Sequence, residues 1–225
     1  RTPNPCIACN RYVKWEALLT RSLMLGADYI ATGHYARVLT LENGRYALAS
    51  SKTVAKDQSY ALYNLTQRQL AHTLMPIGEY EKPEVRAIAA AAGLPVAAKP
   101  DSQEICFVPD GDYAHFIDES TGERALPGNF VRADGTVLGE HKGLTHYTVG
   151  QRKGLGIAFG EPMYVIELRP EQNEVVLGTG DEVYAEELLA GDVNWMAVAP
   201  PPAGETLCCR AKIRYNHGGA DCEVL

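Results

Sequence analysis

The stretch VKWEALLTRSLMLGADYIATGHYARV, residues 13–38, decides the fold class. Its first half has the apolar spacing of an amphipathic helix that stops at Gly26. The apolar run from Tyr29 to Thr32 then predicts a buried strand, which Gly33 interrupts. A helix followed at once by a short buried strand is typical of a parallel sheet, so we expect an α/β fold here.

Two further helices are predicted before residue 105. LTQRQLAHTLM (65–75) begins after Thr66, a favourable N-cap residue. KPEVRAIAAAAGLP (82–95) carries Pro83 in its first turn and Gly93 at its end. From about residue 106 to residue 182, helices become fewer.

The strands predict a second and a third region. NFVRADGTVLGE (129–140) alternates around Asp134-Gly135, which indicates a hairpin, and MYVIELRPEQNEVVLG (163–178) predicts two strands. A Pro-rich joint at 199–205 precedes the strands TLCCRAKIRYN and DCEVL. We therefore expect three domains, at 1–105, 106–182 and 183–225, the last an incomplete β-barrel. Both ends of the chain look cut.

Composition limits the function classes. The 225 residues are 46% hydrophobic and 22% charged, with a net charge of -7 and no apolar run long enough for a membrane span. Acid-free strips at 141–160 and 206–217 nevertheless contain basic residues that suit a phosphate backbone. Six cysteines are too few for a secreted disulfide scaffold, so we expect a reducing cytosol.

The cysteines offer several kinds of chemistry. Cys6 and Cys9 form a C-x-x-C pair, open to a zinc half-site, a redox pair or a nucleophile, although no second C-x-x-C completes a zinc site. Cys106 lies in a polar segment, where a purely structural thiol is unexpected. Alternation along LCCRAKIRY predicts a buried Cys209 on an apolar face and a basic face that includes Arg210.

Two other motifs are ambiguous by themselves. The Thr-Gly-His turn after the first strand lies where open α/β sheets bind ligands. The same residues are equally compatible with a simple turn at Gly33 and a surface position for His34. Lys56, Asp57 and Gln58 are equally compatible with a solvated bend.

The motifs TPNPCIACN, GADYIATGHYARV, KDQSYALYNL, DSQEICF and YTVGQRKGLGI occur in this order. In this order they resemble the tRNA-specific 2-thiouridylases over nearly the whole chain. The resemblance implies an ATP-pyrophosphatase-type parallel-sheet domain (adenine nucleotide alpha hydrolase-like), a small central domain and a C-terminal β-barrel. It also implies ATP-dependent transfer of sulfur to C2 of the wobble uridine.

The resemblance assigns residue roles as well. Cys106 matches the cysteine that carries a persulfide, Cys9 the nucleophile that releases its sulfur, and Gly33 a glycine of the ATP site. A Cys9–Cys106 disulfide would follow, and no metal is expected. The positions that match tRNA contacts are Asn4, Pro5, Cys6, Lys56, Asp57, Gln58, Arg214 and Tyr215.

The implied partners are ATP, with Mg²⁺, tRNAs of the Lys, Glu and Gln class, and a cysteine desulfurase or sulfur relay protein. The location would be the cytoplasm, or the mitochondrial matrix of a eukaryote. The Ser-Gly-Gly-Val-Asp-Ser ATP loop of the family is expected upstream of Arg1, so weak ATP binding and an inactive isolated chain are expected. Two alternatives are an RNA-binding or sulfur-carrying module, and a related thiolating enzyme that acts on another base.

Overall fold

The structure, a computed structural model, describes residues 4–99, 106–108, 111–122, 124–213 and 217–225. The chain forms two compact units. One holds the described residues between 102 and 190, and the other holds those between 4 and 101 together with 191–225. Within these ranges no helix has the length and apolar character needed to cross a membrane.

The first helix starts earlier than the sequence pattern predicts. It runs without a break through α1 (Pro5–Ala8), a π-helical segment π1 (Cys9–Leu18) and α2 (Leu19–Met24). The Asn4 side chain accepts a hydrogen bond from the Cys6 amide and caps the helix, and proline at the first position suits this start. Gly26, with φ of 86°, ends the helix as predicted.

A short parallel strand pair follows. β1 (Ile30–Ala31) pairs with β4 (Thr73–Leu74), in the register Ile30 opposite Thr73. The predicted buried strand over 29–32 is therefore too long, and only Ile30 of its two strand residues is buried. The physical reason is that alternation places Tyr29 and Ala31 on the face opposite Ile30, which the described residues leave uncovered.

The second predicted helix is also shorter than expected. α3 (Gln67–Ala71) starts with a full capping box at Thr66, which confirms the predicted N-cap. The helix ends at Ala71, because Thr73 and Leu74 form β4 and pair with β1. The third predicted helix is confirmed as α4 (Lys82–Ala91), with Pro83 in its first turn.

A hairpin and a returning segment complete this unit. β2 (Ala36–Thr40) and β3 (Tyr46–Ser50) pair antiparallel. Arg45 donates to the carbonyls of Trp195 and Met196 at 2.6 and 3.0 Å, and Asn194 donates to those of Tyr63 and Leu65, both at 2.8 Å. These bonds attach residues 194–196 to the α/β unit, although the sequence pattern assigns them to the last region.

The described residues of the other unit form a mixed four-stranded sheet and one α-helix. α5 (Tyr113–Thr121) precedes β5 (Gly128–Val131), β6 (Val137–His141), β7 (Tyr164–Arg169) and β8 (Glu174–Gly178), and the sheet order is β6-β5-β8-β7. The hairpin predicted at Asp134-Gly135 is confirmed, since β5 and β6 pair antiparallel around it. The two predicted strands of 163–178 are likewise confirmed as β7 and β8.

A final hairpin consists of β9 (Leu207–Ala211) and β10 (Ala220–Val224), which pair antiparallel. The predicted strands of this region are confirmed, but Cys209 is exposed rather than buried. The physical reason is that among the described residues this sheet has only two strands, and no layer covers the Cys209 side chain. The three-domain division stays a prediction.

The buried contact between helix and sheet gives a stability prediction. The Trp15 indole donates to the Thr73 hydroxyl at 2.7 Å, and that hydroxyl donates to the Gln69 carbonyl at 2.7 Å. Thr73→Val leaves the buried Trp15 indole N–H without a partner, whereas the Gln69 carbonyl still accepts from the His72 amide at 3.2 Å. We therefore expect the free energy of unfolding to fall by about 1–3 kcal/mol. Thr40→Val, at an exposed strand position, is the matched control. Equal urea midpoints for the two variants would contradict this.

Candidate active site

Cys9 is the first residue of π1 and is half-buried, whereas Cys6, three residues earlier in α1, is exposed. In the same helix Asn10 is buried and donates from its side-chain amide to the Ala61 carbonyl at 3.0 Å. That bond fixes the start of the helix next to the candidate nucleophile. None of the six cysteines forms a disulfide.

A chain of polar contacts joins this helix to the turn after β1. Lys14 Nζ lies 3.5 Å from His34 Nε2, and His34 Nδ1 lies 2.9 Å from Thr32 Oγ1. An ammonium group can only donate, so His34 Nε2 accepts and the ring proton lies on Nδ1, which donates to the threonine hydroxyl. The contact of the His34 ring with Trp15, at 5.5 Å between centroids, fixes the ring further.

Burial, and secondarily the positive charge of Lys14, lowers the pKa of His34 to about 4. The imidazole is therefore neutral at physiological pH. In the Lys14–His34 pair only the lysine is then charged, and its charge is positive. The pair therefore favours an anionic ligand, such as a phosphate, over a cation. His34 is accordingly not the simple surface residue that the sequence alone allows.

Gly33 lies between Thr32 and His34, at the carboxyl end of β1, and is exposed. A Cβ added to Gly33 would meet only Ile77 Cδ1, at 4.0 Å, and its φ is not left-handed. The fold of this unit therefore does not demand glycine at this position. The open backbone leaves room for a ligand to approach closely, as the carboxyl ends of strands do in open α/β sheets.

The Lys-Asp-Gln stretch has structural contacts of its own. Asp57 accepts from the Ser51 amide at 2.9 Å and from the Ser59 hydroxyl at 2.6 Å. The side-chain oxygen Oε1 of Gln58 accepts from the Tyr35 backbone N–H at 2.9 Å. The backbone N–H of Gln58 donates to the Tyr35 carbonyl at 2.8 Å. These bonds hold the loop against the residue that follows His34. Lys56 is exposed at the rim of the same loop.

Cys106 belongs to the other compact unit and is exposed in a turn. The next two residues anchor that turn: Phe107 contacts Phe116 of α5 at 5.2 Å between ring centroids, and Val108 is buried. A Cys9–Cys106 pairing stays a prediction.

Of the two acid-free strips, 141–160 and 206–217, the second differs from its prediction in the charge around it. Arg152 and Lys153 are exposed, as a role in binding phosphates requires. On the face of β9 that carries Arg210, however, β10 places Asp221 directly opposite it, with Glu223 opposite Cys208. The predicted basic face is therefore mixed in charge over β9, because acids of the partner strand share it. Arg214 and Tyr215 lie outside the described residues.

The structure thus joins the Cys9 helix, the Gly33 turn and the Gln58 loop within one unit. Sequence reasoning missed Lys14 and Asn10. Their spacing carried no signal, because both belong to a π-helix that an α-helical pattern does not reveal. In the part of the chain that the structure describes, no group of three or more His, Cys, Asp or Glu side chains is arranged to hold a metal ion.

Two family models match the chain. Residues 1–110 match the tRNA methyl transferase HUP domain, and residues 114–179 match the tRNA methyl transferase PRC-barrel domain. Fold and site thus define a HUP domain of the ATP-pyrophosphatase type followed by a PRC-barrel, which confirms the predicted α/β class.

Curated relatives then narrow the class. The tRNA-specific 2-thiouridylase MnmA of Lachnoclostridium phytofermentans is 65% identical over 224 residues, which is 100% of this chain and 62% of the relative. The proteins of the same name from Acetivibrio thermocellus and Carboxydothermus hydrogenoformans are 56% and 54% identical, over 100% and 96% of this chain and 62% and 59% of theirs. The chain belongs to the tRNA-specific 2-thiouridylase family, and it spans about 62% of the length of the first of these relatives.

The His34 environment yields a prediction on pH. Its folded-state pKa of about 4 lies below the ordinary 6.5, so this residue favours folding above pH 6.5. That contribution is lost as the pH falls from about 6.5 to about 4, because only the unfolded chain binds the proton. NMR titration of the imidazole, assigned with His34→Gln, measures the pKa.

Lys14→Met should raise the pKa of His34 only part of the way to 6.5, because burial is the larger cause. Lys52→Met is the control, since Lys52 pairs with Glu84 instead, at 3.3 Å. A wild-type pKa near 6.5, or equal values in the two lysine variants, would contradict the assignment.

Proposed function

We propose that this chain acts in the ATP-dependent 2-thiolation of the wobble uridine of tRNA, through a persulfide on Cys106. The observation that carries the proposal is the contact between the helix that begins at Cys9 and the turn that contains Gly33, made by Lys14 and His34 at 3.5 Å. This contact places a candidate nucleophile and a candidate nucleotide site in one unit. The names of the relatives supply the reaction class.

The chemistry assigns one step to each cysteine. ATP, with Mg²⁺, would transfer its adenylyl group to the C2 oxygen of uridine and release pyrophosphate. The outer sulfur of the Cys106 persulfide then bonds to C2 as the C2–O bond breaks and AMP leaves. The Cys9 thiolate then attacks Cys106 Sγ and breaks its bond to that sulfur, whose electron pair stays with the base. The product is 2-thiouridine with a Cys9–Cys106 disulfide, which a dithiol reductant must reopen for the next turnover.

The neighbouring residues support these steps. Lys14 offers a positive charge, and His34, neutral and fixed by Thr32, keeps the ammonium group in place. We infer that Asn4, Pro5 and Cys6 face the target base, because they form the exposed or half-exposed start of the helix that holds Cys9. Asn4 and Asp57 already have bonds within the chain, so we infer that they position their segments.

The partners follow from the chemistry. Exposed basic residues, Arg152 and Lys153 among them, suit the phosphates of tRNA, and we extend this inference to Lys56, Arg214 and Tyr215. We further propose tRNAs of the Lys, Glu and Gln class as substrates and a cysteine desulfurase or relay protein as sulfur donor. Thiol chemistry of this kind requires a reducing compartment, so the proposed location is the bacterial cytoplasm.

The descriptions of the family models mention methyl transfer, which makes the product the decisive measurement. Methyl transfer would bring no persulfide sulfur to the base. Mass analysis of tRNA nucleosides, after reaction of the full-length protein with ATP, a persulfide donor and a methyl donor, distinguishes sulfur exchange from methyl addition. A methylated uridine would overturn the proposal.

The two thiols should differ in the kind of defect that their loss causes. Cys106→Ser removes the sulfur carrier, so no persulfide and no thiouridine should form. Cys9→Ser should leave the persulfide on Cys106 but stop its release. Cys6→Ser is the control on the same helix, with a milder effect expected. Persulfide labelling of the full-length enzyme with a sulfur donor tests all three, and a persulfide on Cys9 in active Cys106→Ser protein would reverse the roles.

Gly33 tests the nucleotide site separately. Gly33→Ala should leave the thermal unfolding midpoint unchanged, because nothing lies closer than 4.0 Å to the added carbon. In the full-length protein it should weaken ATP use about tenfold or more if the nucleotide approaches this backbone. Gly191→Ala, with open space and no left-handed φ, is the matched control. Equal ATP dependence of the two variants would contradict a nucleotide at Gly33.

A further inference from the structure

A second pair of thiols lies away from the proposed sulfur-transfer residues, in the hairpin of β9 and β10. Cys209 is directly opposite Cys222 in the strand register, and their sulfur atoms are 3.5 Å apart. Cys209 is exposed and Cys222 is half-buried, so small reagents can reach the pair. The proposed mechanism uses neither thiol.

We propose that Cys209 and Cys222 are a redox-active dithiol that closes to a cross-strand disulfide by exchange with a low-molecular-weight disulfide. In the first step the Cys209 thiolate attacks the reagent, forms a mixed disulfide and releases one thiol. In the second step Cys222 attacks Cys209 Sγ and releases the other thiol. Two protein thiols are oxidised and one reagent disulfide is reduced to two thiols, so atoms and electrons balance.

The geometry of the strands supports closure. Residues directly opposite in an antiparallel pair have Cα atoms roughly 4.5–5.5 Å apart. Disulfides span Cα separations of about 4.4–6.8 Å, so the backbone needs no rearrangement. The sulfur atoms must approach from 3.5 Å to a bond length of about 2.0 Å, a change that side-chain rotation supplies.

The surroundings make this pairing selective. Cys208 is adjacent to Cys209 in sequence, but alternation along the strand places it on the other face, opposite Glu223. Arg210 Nη2 donates to the Gly218 carbonyl at 3.1 Å, which holds the two ends of the connection together. The register is thus fixed by noncovalent bonds before any oxidation.

The hydrogen bond with Cys222 raises the pKa of the Cys209 thiol. Because the thiolate is the attacking species, the dithiol should react slowly near neutral pH and faster as the pH rises. The same hydrogen bond stabilises the reduced pair, so closure should require a raised ratio of disulfide to thiol in the solvent.

The test is a redox titration of the full chain in glutathione buffers, followed by tryptic mapping. Cleavage after Arg210, Lys212 and Arg214 separates the two cysteines, so a disulfide joins two distinct peptides. The joined peptides should appear in the wild type and in Cys208→Ser, the matched control. They should be absent from Cys209→Ser and Cys222→Ser, in which the remaining thiol carries glutathione.

A second readout follows the hairpin itself. Closing this short loop should slow amide exchange of β9 and β10 by about tenfold or more in oxidised wild type and Cys208→Ser. Cys222→Ser should show no such change. The proposal is overturned if both thiols carry only glutathione, if Cys208 joins Cys222 instead, or if the joined peptides leave amide exchange unchanged.

Discussion

The hydrogen bond from the Trp15 indole to the Thr73 hydroxyl connects the elements that build the candidate site. It attaches the first helix to β4, and β4 pairs with β1. β1 ends at the Thr32–His34 turn, and His34 returns to the helix through its contacts with Lys14 and with Trp15 itself. Two separate sets of contacts therefore hold the turn against the helix. One runs through β4 and β1, and the other is made by His34 itself.

The π-helical geometry of Cys9–Leu18 allows the helix to make both sets of contacts. Hydrogen bonds from residue i to i+5 bring residues five apart close to one line along the helix, whereas in an α-helix they diverge by more than a quarter turn. Asn10 and Trp15 are five apart and are both buried. Cys9 and Lys14 have the same spacing, so the half-buried thiol lies one helical turn from the lysine that contacts His34. Both anchors and both candidate functional groups thus depend on one local departure from α-helical geometry.

How far the sequence predicts this arrangement depends on the range of the interactions. The Thr66 cap, the Pro83 helix start and the Asp134-Gly135 hairpin are local features, and each is confirmed. The early end of α3 comes from pairing of β4 with a strand more than forty residues away in sequence, which no local pattern contains. The mixed charge opposite Arg210 has the same cause, because Asp221 enters from the other strand.

The candidate site shows the same division. Ordered motifs indicated Cys9, Gly33 and Gln58, and the structure places all three in one unit. Lys14 and Asn10 were missed, because their roles depend on contacts with His34 and Ala61 that only the folded chain creates. The lowered pKa of His34 has the same origin, since its causes are burial and Lys14, a residue twenty positions away in the sequence.

The two thiol pairs differ in what fixes their distance, and this difference separates their chemistry. Cys9 belongs to a helix and Cys106 to a turn of the other compact unit, so no common strand register fixes this pair. The exchange proposed between them therefore does not rest on a single rigid element. Cys209 and Cys222 are held opposite each other by the ladder of one hairpin, at any stage of a reaction. A pair that is always within reach is suited to respond to the redox state of its solvent, whereas a pair on separate units is suited to a step that must wait for its substrate.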